Sequence, residues 1–179
     1  MTNPLFFDTD GLSAFLWVDK QSILSSLYPG RIAIPQDVYN ELSYPGVNHL
    51  RKRLDKLITY KHASIIQITI PSEEYTIFEK LTKSPNKGYP IIGKGEAACI
   101  ALAKNNEGII ASNNLKDISQ YIREYNLINI TTGDILKEAL NSRILTKKQC
   151  EIIWQNMLHY RRKLGSNSFE EFLNKSESI

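Results

Sequence analysis

Leu5-Phe6-Phe7-Asp8-Thr9-Asp10-Gly11-Leu12-Ser13-Ala14-Phe15 is the stretch whose reading decides the fold. An apolar run ends in an acid, a second acid and a glycine follow, and an apolar-periodic segment begins. That order predicts a buried strand, a tight turn and a helix. In open α/β sheets, ligands collect off the carboxyl ends of parallel strands, where Asp8 would project, with Asp10 following it into the turn. A carboxylate placed directly after Leu5-Phe6-Phe7 is costly to bury without compensation, so Asp8 is the first candidate for a metal-dependent site. Asp10 is weaker, because Asp before Gly is common turn chemistry.

Working outward, Leu12 to Leu27 is rich in helix formers and stops at Tyr28-Pro29-Gly30. Arg31 to Ile34 reads as a second strand, and Pro35 suits the start of a helix over Gln36 to Leu42. Val47 to Tyr60 has the apolar spacing of an amphipathic helix. Ser64 to Ile70 is β-rich, and Ser72 has the hydroxyl of an N-cap for Glu73 to Leu81. Gly93 to Lys104 is a small-residue helix, uncharged from Ala97 to Ala103 and so expected to be buried all round. Gly108 to Ser112 and Leu127 to Thr131 are further strands, each followed by a helix, Leu115 to Tyr125 and Asp134 to Asn141. Short apolar strands alternating with helices predict a three-layer α/β fold with a central parallel sheet of about four to five strands. Thr146 to Ser178 is helical in pattern, with a break at Gly165 to Ser168. Residues 1–146 are therefore expected to form the α/β domain, and 147–179 a helical C-terminal extension packed on it.

The bulk numbers are those of one soluble domain: 179 residues, 42% hydrophobic, 23% charged, formal net charge +3. That charge permits a polyanionic partner without demanding one. Cys99 and Cys150 belong to no paired motif, which argues against a disulfide framework, and Cys99 reads as helix core. With no signal-peptide pattern and no long apolar span, a cytoplasmic protein without a membrane segment is expected.

The remaining acids each have a structural and a functional reading. Asp37 and Glu41 are spaced i, i+4 and would repel each other unless a cation lies between them or one faces elsewhere. Glu96 falls in the first turn of the small-residue helix, where the dipole favours a carboxylate. Gly93 and Gly95 beside it allow close backbone approach, and Lys94 could meet a phosphate. Asn114 and Asp117 fit an N-cap followed by an acid in capping-box spacing, which would also hold Asp117 at the strand's carboxyl edge. Acids arriving at one edge suggest a hard cation such as Mg²⁺ or Mn²⁺. His49, His62 and His159 are scattered, which disfavours zinc. Arg51, Lys52, Arg53 and Lys56, and the run Arg161-Arg162-Lys163, are either phosphate contacts or solvated helix faces.

These motifs, in this order, resemble those of PIN-domain ribonucleases in the branch of VapC-type toxins, over most of residues 4–146. Phe6-Phe7-Asp8-Thr9-Asp10 followed by Leu12-Ser13-Ala14-Phe15 is similar to the first family motif. Ile34 to Leu42 with Glu41, and Gly93-Lys94-Gly95-Glu96-Ala97-Ala98, resemble the second and third. Ala111 to Ile118 resembles the fourth, although many relatives carry an acid nearer the strand end, where this chain has Ser112-Asn113-Asn114. The resemblance implies a Mg²⁺- or Mn²⁺-dependent endoribonuclease with Asp8, Glu41, Glu96 and Asp117 catalytic. It further implies metal ligation by Asp8, Asp10, Glu96 and Asp117 and support from Asn114, and the basic side chains of Lys94, Arg51, Arg53 and Lys56 are the candidate RNA contacts for such a site. A small antitoxin partner and a homodimer are implied as well. Asp8-Thr9-Asp10-Gly11 also looks like the first motif of haloacid-dehalogenase-type phosphatases, with Asp8 as nucleophile. That reading leaves Glu41 and Glu96 without a role. A degenerate PIN domain that only binds RNA or protein is the third alternative.

Overall fold

Five short parallel strands form the sheet that the apolar runs predict: β1 (Leu5–Phe7), β2 (Ile32–Pro35), β3 (Ala63–Ile66), β4 (Ile109–Ala111) and β5 (Ile128–Ile130). The computed structural model of the chain describes residues 3–177. Strand order is β3-β2-β1-β4-β5. The chain runs outward from β1 to β3, returns to the far side of β1 as β4, and runs outward again. The order thus reverses between β1 and β4, and their carboxyl ends form the crevice where such sheets bind ligands. Leu5, Phe6 and Phe7 are all buried, as an interior strand covered on both faces requires.

The helices are α1 (Thr9–Trp17), α2 (Ser22–Leu27), α3 (Gln36–Glu41), α4 (Asn48–Thr59), α5 (Glu73–Lys83), α6 (Lys94–Asn105), α7 (Leu115–Glu124), α8 (Thr132–Asn141), α9 (Lys147–His159) and α10 (Phe169–Glu177). With the sheet they make a three-layer α/β/α arrangement. Helix α6 is buried from Ala97 to Ala103, as its uncharged run predicts, and touches β1, β2 and β4. Its alanines let the helix backbone approach the sheet closely. Cys99 lies in this core, where burial holds its thiol well above the ordinary range.

Two local expectations need correction. The stretch from Leu12 to Leu27 is two helices, with Asp19 left-handed between them (φ 54°). No Gly or Pro marks this stop, because a distant side chain makes it. Arg53 of α4 donates to the carbonyls of Leu16 and Trp17 and pairs with Asp19 at 3.3 Å, satisfying the groups that end α1. Strand β3 ends at Ile66 and does not reach Ile70. Its one neighbour, β2, ends at Pro35 opposite Ile66 and turns into α3, so an edge strand has nothing further to pair with.

Past Asn141 the chain stays helical. Trp154 of α9 is fully buried against Phe169 and Phe172 of α10, and its indole N–H donates to Ser166 O at 3.2 Å. The Phe172 ring lies directly on Gly133 in the first turn of α8, leaving no room for a Cβ. No described helix is long and apolar enough to cross a membrane.

Gly11 is the tightest point between α1 and the sheet. A Cβ there would stand 2.5 Å from Ala111 O, a backbone atom that already accepts the Asp8 N–H at 3.2 Å and has no freedom to withdraw. Alanine's better helix propensity favours the substitution by about 1 kcal/mol. Overpacking against a fixed backbone costs about 1–3 kcal/mol, so the clash wins. Gly11→Ala should lower the unfolding free energy in urea; a variant of unchanged or higher stability would show that the β1–β4 edge yields.

Candidate active site

Because Phe7 pairs with Ala111, Asp8 and Ser112 leave the sheet side by side at the β1–β4 crevice. Asp8 is the N-cap of α1: its Oδ1 accepts the Gly11 N–H at 2.6 Å. Its Oδ2 is buried and has no hydrogen-bond partner. Burial pushes the Asp8 carboxyl up to about 7; the nearby Ser112 hydroxyl and the Gly11 N–H act the other way, and the charges of Asp10 and Glu96 push it up further. Asp10, in the first turn of α1, is also raised by burial, against the pull of Arg162 and Lys163.

Glu41 arrives as the last residue of α3. Its Oε1 accepts the Gly95 N–H at 3.1 Å, and its Oε2 accepts the Thr9 hydroxyl. The carboxylate therefore satisfies one of the free amides that begin α6 and ties α1, α3 and α6 together. A Cβ on Gly95 would stand 3.0 Å from Glu41 Oε1, so the close approach calls for glycine. Glu96 follows in the same turn, with its Oε2 packed against Gly93.

The side chain of Asn114 does not cap α7 as its spacing suggests. Its amide Nδ2 instead donates to Glu96 Oε1 at 3.0 Å and to Asp117 Oδ2 at 2.8 Å, bridging two carboxylates. Both protons of the amide nitrogen are engaged by the two acids, and the amide oxygen makes no bond to the backbone N–H groups of α7. Asn113 holds the turn itself, exchanging two hydrogen bonds with Thr132 at the start of α8 (2.8 and 2.9 Å).

Asp8, Thr9, Asp10, Ser13, Glu41, Glu96 and Arg162 line one pocket of about 180 Å³. Asp117 lines a groove of about 430 Å³ that shares Asp10 and Arg162 with the pocket and adds Asn113, Asn114, Leu115, Lys116, Arg161 and Lys163. The structure thus gathers Asp8, Asp10, Glu41 and Glu96, with Asp117 one asparagine away. Lys94 opens α6 and is exposed. Arg51, Arg53 and Lys56 line neither cavity. Arg51 lies 3.5 Å from the Tyr39 ring and bonds Ser43 and Asp55, Arg53 caps α1, and Lys56 is exposed. Thr9 and Asn113 gave no signal in the sequence, since their roles depend on partners far along the chain.

A family model for the PIN domain matches residues 5–178, and the chain belongs to that family. The match runs through the residues of α9 and α10 as well as the sheet. No curated protein matches the chain. PIN domains are generally nucleases and generally use divalent metals such as Mg²⁺ or Mn²⁺. Among the described residues, no group of three or more His, Cys, Asp or Glu side chains stands as a ready metal cage. Mg²⁺ does not need one, because it keeps several waters and takes one or two carboxylates plus substrate phosphate oxygens. The pocket fits such an ion: its acids are hard oxygen donors, and Asp8 keeps one buried oxygen free of any partner.

The raised Asp8 carboxyl has a signed consequence. Between the unfolded value near 3.8 and the folded value near 7, the native state binds more protons, so its stability falls as pH rises through that window. In EDTA, Asp8→Asn should stabilise the protein more at pH 8 than at pH 5 in thermal melts. Mn²⁺ at pH 8 should then raise the melting temperature of the wild type and not of Asp8→Asn. An equal effect of the substitution at both pH values would contradict the assignment.

Proposed function

We propose that the chain is a Mg²⁺- or Mn²⁺-dependent endoribonuclease that hydrolyses RNA phosphodiester bonds at the β1–β4 crevice. The observation that carries this reading is the unpartnered, buried Asp8 Oδ2 in a pocket also lined by Asp10, Glu41 and Glu96. A buried carboxylate oxygen without a donor is costly to keep in a fold unless something positive meets it. Family membership supports the nuclease class.

In this reading Asp8 and Glu96 are the principal metal holders, with Asp10 and Asp117 flanking them. A divalent ion at this position supplies an activated water and offsets charge on the leaving oxygen. Glu41 is pinned at both oxygens, by Gly95 and Thr9, and serves to orient the water on the substrate side. Asn114 keeps Glu96 and Asp117 in register with each other. Lys94, exposed at the start of α6, would meet a phosphate oxygen of the substrate. Arg51 and Arg53 are already engaged within the fold and, with Lys56, serve at most as outlying contacts. Residues 1–146 supply the acids, and the turn after α9 adds Arg162 to the pocket. The resemblance to VapC-type toxins extends the proposal to a cytoplasmic, self-associating protein with a small antitoxin partner.

The purified protein should cleave single-stranded RNA with Mn²⁺ and not in EDTA. Asp8→Asn and Glu96→Gln should each slow cleavage by about 100-fold or more, an effect of the size seen when charge stabilisation at a reacting centre is removed. Turnover of a generic phosphomonoester with RNA left intact would favour the phosphatase reading. RNA binding without cleavage, indifferent to metal, would favour a degenerate PIN domain.

A further inference from the structure

Among the described residues, Arg162 is the one cation that lines the acidic pocket. It comes from the far end of the chain, and the backbone fixes its place. At the end of α9, Arg161 turns left-handed (φ 58°), its N–H bonds Leu158 O at 2.8 Å, and the Arg162 N–H bonds Met157 O at 3.0 Å. These two bonds form a Schellman cap, which reverses the chain over the pocket. The guanidinium then donates through Nε to Tyr160 O at 3.0 Å and through Nη1 to Ser13 Oγ at 3.4 Å, and stands 5.6 Å from the Trp17 ring.

Those bonds occupy two of the five N–H donors of a guanidinium. Among the described residues Arg162 forms no ion pair, although Asp8, Asp10, Glu41 and Glu96 line the same pocket. A guanidinium that served as counter-ion to these acids would grip one of them, commonly with two parallel bonds. Arg162 is held near them and off them, with donors to spare, and Lys163 beside it lines the adjoining groove.

We propose that Arg162 and Lys163 form a phosphate clamp that seats a single-stranded RNA backbone against the acids. Arg162 takes the phosphate at the pocket, and Lys163 takes the neighbouring one in the groove. The proposal rests on the ribonuclease reading above and assigns the C-terminal turn the substrate side of that site. It gives positive charge to a site whose acids would otherwise repel a polyanion.

The test is binding, measured apart from cleavage. A short fluorescein-labelled single-stranded RNA is titrated with the full chain in EDTA by fluorescence anisotropy across a salt series. Each lost phosphate contact lowers the salt slope by about 0.7 on single strands, so Arg162→Gln with Lys163→Gln should lower it by about 1.4. Affinity at low salt should fall about tenfold or more, and Arg162→Lys alone should recover most of it. The backbone cap does not use these side chains, so the variant should still unfold cooperatively in thermal melts, with at most a small shift from the lost Tyr160 and Ser13 bonds. Lys61→Gln with Lys104→Gln, at the amino ends of β3 and β4, removes the same charge and should leave the slope in place. Equal slopes for the clamp variant and the wild type would overturn the clamp while Mn²⁺-dependent cleavage still upheld the nuclease. Tighter Mn²⁺ binding by Arg162→Gln, without weaker RNA binding, would make Arg162 a plug and overturn the clamp. A wild type that neither binds nor cleaves RNA would overturn both readings.

Discussion

The structure turns on how the Asp8 carboxyl is buried. One oxygen ends the first strand's apolar run by capping α1 on Gly11, and the other is buried without a hydrogen-bond partner, with the Ser112 hydroxyl nearby. The capped oxygen is local: it needs only the turn and a glycine without a Cβ to approach Ala111. The free oxygen is global, because it lies where β4 returns beside β1 and where α3 and α6 deliver Glu41 and Glu96. A carboxyl pushed up to about 7 in that position is a group whose charge the fold alone does not support. Protonation or a bound cation at the crevice each relieves that charge, and the proposed metal is the second of these.

Around that deficit the chain places rigid supports of two kinds. Backbone amides and small residues hold the acids: Gly11 for Asp8, Gly95 for Glu41, and Gly93 beside Glu96. Polar side chains hold the turns that carry them: Asn114 between Glu96 and Asp117, and Asn113 on Thr132. Ser112, Asn113 and Asn114, just past β4, act as a scaffold for the acids already present.

Much of this was legible in the sequence where local chemistry decides the outcome. An apolar triplet followed by Asp-Thr-Asp-Gly gave the strand and the helix, because each depends on residues within a few positions, while the expected turn is the first turn of α1, capped by Asp8. The uncharged run from Ala97 to Ala103 gave the buried helix for the same reason. The break at Asp19 was illegible because Arg53, far along the chain, makes it. Asn114 has the spacing of a cap, and nothing local reveals that two carboxylates from separate elements compete for its amide. Arg161-Arg162-Lys163 reads either as phosphate contacts or as a solvated helix face; only the turn at the end of α9 brings Arg162 to the pocket. Local rules located the acids, and long-range packing determined what surrounds them.

The central claim is that the Asp8 pocket takes a divalent cation. Crystals grown or soaked with Mn²⁺ and measured at the manganese absorption edge test this directly. The account predicts an anomalous peak within coordination distance of Asp8 Oδ2, in the pocket shared with Glu96. Manganese bound only elsewhere on the molecule, with the Asp8 pocket empty of it, would contradict the account.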